Sequence, residues 1–137
     1  MNKAIKDFDR WNDKKKKIAD RNVDDLKIFF QKREVWWCAL GTNVGAEQNG
    51  KGKNFERPVL VFRKFNKHIF LGIPLTTKKK NLALPFYFKL QGAKIESIAV
   101  LSQIRLLSSK RLLRHIETIS PNLFQDIKKQ LKTVENI

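Results

Sequence analysis

Between Glu34 and Leu107 the chain is cut into short β-favouring runs by glycine, proline and polar turns, and none is long enough to make a helix of ordinary length. The first is Glu34-Val35-Trp36-Trp37-Cys38-Ala39-Leu40, which ends on Gly41. Residues 58–62 and 68–75 follow on either side of a turn near Phe65-Asn66-Lys67 and read as a hairpin. Phe86, Phe88 and Leu90 then alternate up to a turn at Gln91-Gly92, and residues 95–101 and 103–107 complete the series. Five to six short strands in a chain of this size predict a mainly β, α+β fold built on a small, strongly bent barrel with flanking helices.

Outside this block the spacing is helical. Over residues 3–32, Ile5, Phe8, Trp11 and Ile18 mark an amphipathic helix, and Asn22 caps a second short piece carrying Val23, Leu26, Phe29 and Phe30. Towards the other end, residues 111–116 read as helical. Ser120-Pro121 then supplies an N-cap and a favoured first-turn proline ahead of the stripe Leu123, Ile127 and Leu131. The expected division is an N-terminal helical extension, 1–32, and a barrel domain with C-terminal helices, 33–137. Residues 42–56 form a polar, glycine-bearing connection, and loops of that length are usually functional.

Charge narrows the partners. Lys and Arg number 29 against 13 Asp and Glu, and a formal charge of +16 on 137 residues creates a field that attracts polyanions: RNA, DNA or an acidic protein. No apolar run is long enough to span a membrane, and the opening MNKAIKDFDRWNDKKKK lacks the apolar stretch that secretion requires, so a cytoplasmic protein is expected. The lone Cys38, between Trp37 and Ala39, reads as a buried structural thiol.

Several chemistries can be set aside. Residues 45–51 approach the phosphate-loop pattern, but Gly52 stands where the magnesium-binding hydroxyl must be, and a strand follows in place of a helix. His68, His115 and Cys38 fall on separate elements with no ligand spacing, so no metal site and no cofactor is expected. Metal-free cleavage of RNA remains feasible, because the 2′-hydroxyl is a built-in nucleophile that needs only positioning, deprotonation and charge stabilisation. Arg57, before Pro58, has the planar fork that grips two phosphate oxygens, and Thr76 and Thr77 place hydroxyls beside Lys78-Lys79-Lys80. Taken alone, these are equally a surface arginine at a strand start and a solvated turn.

The order of the motifs resembles the MazF/PemK family of type II toxin–antitoxin systems. The pieces are Glu34-Val35-Trp36-Trp37, Asn43-Val44-Gly45-Ala46-Glu47-Gln48, Glu56-Arg57-Pro58-Val59-Leu60-Val61, Ile73-Pro74-Leu75-Thr76-Thr77 and Leu101-Ser102-Gln103-Ile104-Arg105. The resemblance implies an SH3-like barrel acting as a homodimer, which cuts single-stranded RNA without metal to leave a 2′,3′-cyclic phosphate and a 5′-hydroxyl. Arg57 matches the family's catalytic arginine and Thr76 its catalytic threonine or serine. Asn43, Glu47, Gln48 and Lys53 fall in or beside the substrate loop, and Thr77, Lys78 and Gln103 along the RNA groove. A cognate acidic antitoxin is implied as partner, its tail blocking the same groove. The chain departs from the pattern in Ser102, where many relatives carry Asp, in an insertion over residues 49–55, and in the N-terminal segment. That segment reads as a helix packed on the barrel, or through residues 14–17 as an extra RNA contact. The competing reading of the whole chain is a non-catalytic SH3-like nucleic-acid or protein binding module, or a gyrase-inhibiting toxin.

Overall fold

Seven antiparallel strands and two helices carry the fold in this computed structural model, which describes residues 8–22, 28–41 and 55–135. In chain order they are α1 (Phe8–Ala19), β1 (Glu34–Ala39), β2 (Glu56–Lys64), β3 (Ile69–Thr76), β4 (Tyr87–Gln91), β5 (Glu96–Val100), β6 (Arg105–Ser108), β7 (Leu112–Thr118) and α2 (Pro121–Glu135). Single 3₁₀ turns at Leu101–Gln103 and Ser109–Arg111 join β5 to β6 and β6 to β7. Of the expected second helical piece, residues 23–27 lie outside the described residues, and residues 28–30, with Phe29 and Phe30, are not helical.

The sheet runs β4-β5-β3-β2-β1-β7, with β6 also on β3. One edge of β3 is thus divided between two partners, β6 at residues 69–72 and β5 at residues 75–76. No ladder joins β4 to β7 among the described residues, so the expected barrel is not closed by hydrogen bonds. Helix α2 packs against the open sheet. Its Phe124, Ile127 and Leu131 complete a core with Val35, Leu60, Ile73, Leu75, Leu90, Ala99 and Leu101. Each such burial is worth roughly 1.5–3 kcal/mol, which holds a helix too short to stand alone. Ser120 caps it as expected, its Oγ accepting the Leu123 amide at 3.1 Å.

The period of two along a strand sorts the side chains. On β2, Leu60 enters the α2 core while Val59 and Val61 enter a second core with Phe30, Trp36, Cys38, Phe70, Leu107 and Leu112. Gly72 is required where β3 is flanked on both sides, since a Cβ there would lie 2.7 Å from Val59 and 2.8 Å from Leu107.

One expected element is of the other type. Of residues 111–116, Arg111 ends a 3₁₀ turn and 112–116 enter strand β7, which pairs with β1, in place of a helix. Register shifts at Val35/Trp36 and Trp37/Cys38 break the alternation, so Leu112, Leu113 and Ile116 acquire an apolar spacing that mimics a helical face. β7 supplies the seventh strand where five to six were expected.

The N-terminal helix packs on the sheet. Trp11 and Ile18 form a third cluster with Ala39 and Phe55, and Trp11 lies over Gly41, whose φ of +78° and lack of Cβ admit the indole. The amides of Leu40 and Gly41 both donate to the Phe55 carbonyl at 3.1 Å. Gly41 and Phe55 thus meet at a neck, where the Trp11 ring lies tilted against that of Phe55 with centres 5.3 Å apart. No helix among the described residues is long and apolar enough to cross a membrane.

Candidate active site

Arg57 sits on β2 opposite Cys38 of β1. The β2–β3 register sets Val59 opposite Pro74, and carried two residues on it sets Arg57 opposite Thr76. The guanidinium reaches across: Nη1 donates to the Leu75 carbonyl at 3.1 Å. Arg57 is only 7% exposed, and this desolvation lowers its pKa, although a guanidinium stays charged at any ordinary pH. A cation denied water in this way favours an anion that restores its lost solvation.

Thr76 closes β3 and is 3% exposed. Its Oγ1 accepts the Lys78 amide at 3.2 Å, which turns the chain out of the strand and directs the hydroxyl proton elsewhere. Thr77 and Lys78 follow as exposed residues.

Two cavities meet here. The first, of about 290 Å³, is lined by Trp37, Glu56, Arg57, Pro58, Leu75, Thr77 and Ser97. The second, of about 340 Å³, takes in Thr76, Thr77, Lys79, Lys80, Lys89, Glu96 and Ser97. Thr77 and Ser97 belong to both. The first has an aromatic wall in Trp37, with the Arg114 guanidinium 5.1 Å from its ring centre. Arg114 is in turn fixed by Glu56, Nη2 to Oε1 at 2.6 Å and Nη1 to Oε2 at 3.3 Å, a forked pairing that raises the arginine's pKa. The second cavity is a lysine cluster with one exposed pair, Lys89 and Glu96 at 4.0 Å.

Arg57, Thr76 and Thr77 thus lie side by side at the ends of β2 and β3, with Lys78 hydrogen-bonded to the same turn. Gln103 lines neither cavity and lies half-buried in a 3₁₀ turn. Asn43, Glu47, Gln48 and Lys53 lie outside the described residues, as does the glycine-rich stretch 45–51. The histidines stand apart. His68 is exposed at a turn held by Asn66, and His115 lies edge-on to Trp36 with Thr118 Oγ1 3.3 Å from its Nε2. Cys38 is fully buried and its thiol is pushed far up, mainly by desolvation against a small opposing pull from Arg111, so it is no nucleophile. Among the described residues no group of three or more His, Cys, Asp or Glu is placed to hold a metal ion.

Trp37, Glu56, Arg114, Lys89 and Ser97 are lining or supporting residues to which sequence reasoning gave no site role, whereas Lys79 and Lys80, noted as charge beside the threonine hydroxyls, line the second cavity. Ser97 carried a signal: it shares the inward register of Ala99, and the residues that follow it in the strand are all apolar, so a polar side chain there needs a reason.

The family described as "PemK-like, MazF-like toxin of type II toxin-antitoxin system" matches residues 31–134, and α1 precedes the match. No curated protein matches the sequence. Among solved structures, the chain is similar to MazF from Deinococcus radiodurans, with a TM-score of 0.65 at 16% identity over 81% of this chain and 100% of that one. An endoribonuclease in complex with its cognate antitoxin from a mycobacterial species gives 0.60 at 14% identity, over 80% and 97%. MazF in a MazE–MazF complex from Deinococcus radiodurans gives 0.57 at 12% identity, over 81% and 99%. At such identities the likeness is one of fold.

Proposed function

We propose, from the premise that this chain belongs to the PemK-like, MazF-like toxins of type II toxin–antitoxin systems, that it is a metal-independent endoribonuclease acting on specific short sequences in single-stranded RNA. The observation that carries the reading is the fastening of a buried arginine fork to the carbonyl next to Thr76, in a cavity bordered by lysines.

The chemistry follows from those groups. The RNA 2′-oxygen attacks the adjacent phosphorus while the bond from phosphorus to the 5′-oxygen breaks. The 2′-hydroxyl gives up its proton to water or a base, and the leaving 5′-oxygen takes one up. The products are a 2′,3′-cyclic phosphate and a 5′-hydroxyl. Arg57 stabilises the charge gathering on the non-bridging oxygens, where a water-poor cavity makes a fixed cation most effective. Thr76, its oxygen already accepting the Lys78 amide, donates its own proton to the same phosphate. Trp37 offers a face on which a base can stack.

By family motif, Asn43, Glu47, Gln48 and Lys53 contact substrate from residues 42–54, and Thr77, Lys78 and Gln103 line the path of the RNA. The partner is a cognate acidic antitoxin, matched to the charge of +16, as two of the similar structures contain antitoxins. The working form is a homodimer in the cytoplasm.

Incubation of single-stranded RNA with the protein in EDTA tests the reading. Cyclic-phosphate ends are expected from the wild type and not from Arg57→Ala. No cleavage by the wild type, or equal cleavage by the variant, defeats it.

A further inference from the structure

Ser97 is the one residue among those described whose buried side-chain oxygen has no hydrogen-bond partner there. It is 4% exposed, lies on β5 opposite Leu90, and walls both cavities. A hydroxyl shut away from water without a partner is unfavourable, and alanine would fill the same place at no such cost. Its surroundings say what would complete it: Arg57 on one side and Lys79, Lys80 and Lys89 on the other, with Thr77 common to both. The carboxylates that share these cavities, Glu56 and Glu96, each face a cation, Arg114 or Lys89, so the balance of charge suits a chain of phosphates.

We propose that Ser97 positions the RNA backbone at the point where it passes from the Arg57 cavity into the lysine cavity, its hydroxyl donating to a phosphodiester oxygen. The proposal rests on the RNA-cleaving reading above and adds to it a second phosphate subsite beyond the scissile one, formed by Lys79, Lys80 and Lys89. Ser97 takes no part in bond making or breaking. It fixes how far the strand is advanced through the groove, and so which phosphate lies against Arg57.

The test compares wild type, Ser97→Ala and Lys79→Gln/Lys89→Gln in binding a mixed-sequence, single-stranded 2′-fluoro RNA, which has no nucleophilic 2′-hydroxyl and is not cut. Thermal unfolding is measured alongside. Ser97→Ala is expected to bind roughly 10-fold more weakly, with an unchanged dependence on salt and a melting temperature equal to or above that of the wild type. On cleavable RNA its KM rises while kcat holds. The lysine double variant should lower the salt slope by roughly 0.7 for each phosphate that is no longer neutralised. Wild-type affinity in Ser97→Ala overturns the proposal, and so does weaker binding joined to a lower melting temperature, which would make the serine structural. Failure of the wild type itself to bind the oligonucleotide sinks the RNA-cleaving reading, and the proposal with it.

Discussion

Arg57 reaches across β2 and β3 to Leu75, Nη1 donating to the carbonyl oxygen at 3.1 Å, so the residue next to Thr76 helps to orient the guanidinium. Arginine is needed there for its shape as well as its charge, because the rigid fork can hold a backbone carbonyl while it is turned towards a phosphate. Arg57→Lys keeps the charge and loses the fork. RNA cleavage should fall by roughly 10²–10³-fold with an unaltered circular dichroism spectrum. A variant within a few fold of wild type would remove the geometric argument.

Trp11 acts on the same strand from a distance. It packs on Phe55, two residues before Arg57, while the Arg10 guanidinium lies 4.7 Å from the centre of the Phe55 ring. Phe55 itself holds a φ of +52°, an uncommon conformation that its packing has to maintain. Trp11→Ala should lower stability by about 3 kcal/mol and reduce cleavage further than the folded fraction accounts for. Hydrogen exchange at the Leu40 and Gly41 amides, both bonded to Phe55, should quicken. Protection as in the wild type would mean that α1 does not brace this strand.

Cys38 gives a pH dependence of known sign. Burial raises its thiol pKa above the ordinary 9.0, so above that pH the unfolded chain loses a proton that the folded chain keeps. Stability is therefore intact below pH 9 and declines as pH rises past it, by at most about 1.4 kcal/mol per unit from this group. Cys38→Ala should lack that component. Urea midpoints at pH 8 and pH 10 for both proteins provide the measurement, and parallel declines would refute the assignment.

Glu117 pins the β4–β5 turn to β7. Its carboxylate accepts the amides of Ala93, Lys94 and Ile95 at 3.0, 2.8 and 2.6 Å while only 6% exposed. Glu117→Gln keeps the shape but sets an NH2 group against these donors, and a loss of about 2–3 kcal/mol is expected. Exchange along the β4–β5 ladder should rise together with it. An unchanged melting temperature would show that the turn holds itself.

Much of this was legible from residue order. The strands starting near Glu34, Pro58, His68, Phe86, Ile95 and Gln103 were marked by β-branched and aromatic residues between turn formers, and α2 by its cap and stripe. β7 was misread because bulges against β1 destroy the alternation on which such reading depends. Closure of the barrel was over-read, since local patterns do not reveal which edge strands stay unpaired with one another. Arg57, Thr76 and Thr77 were singled out through a resemblance. Ser97 and Arg114 were not, because their association depends on which strands lie side by side, a relationship that no short stretch of sequence encodes.

The neck at Gly41 and Phe55 separates two kinds of information in the chain. A segment whose ends are clamped a fixed distance apart can be lengthened cheaply, since doubling its length costs only about 0.6 kcal/mol. The sheet should therefore accept changes of length between Gly41 and Phe55 at little cost in stability. The neck is a fixed socket, whose upkeep falls to Trp11, Phe55 and the Leu40 and Gly41 amides.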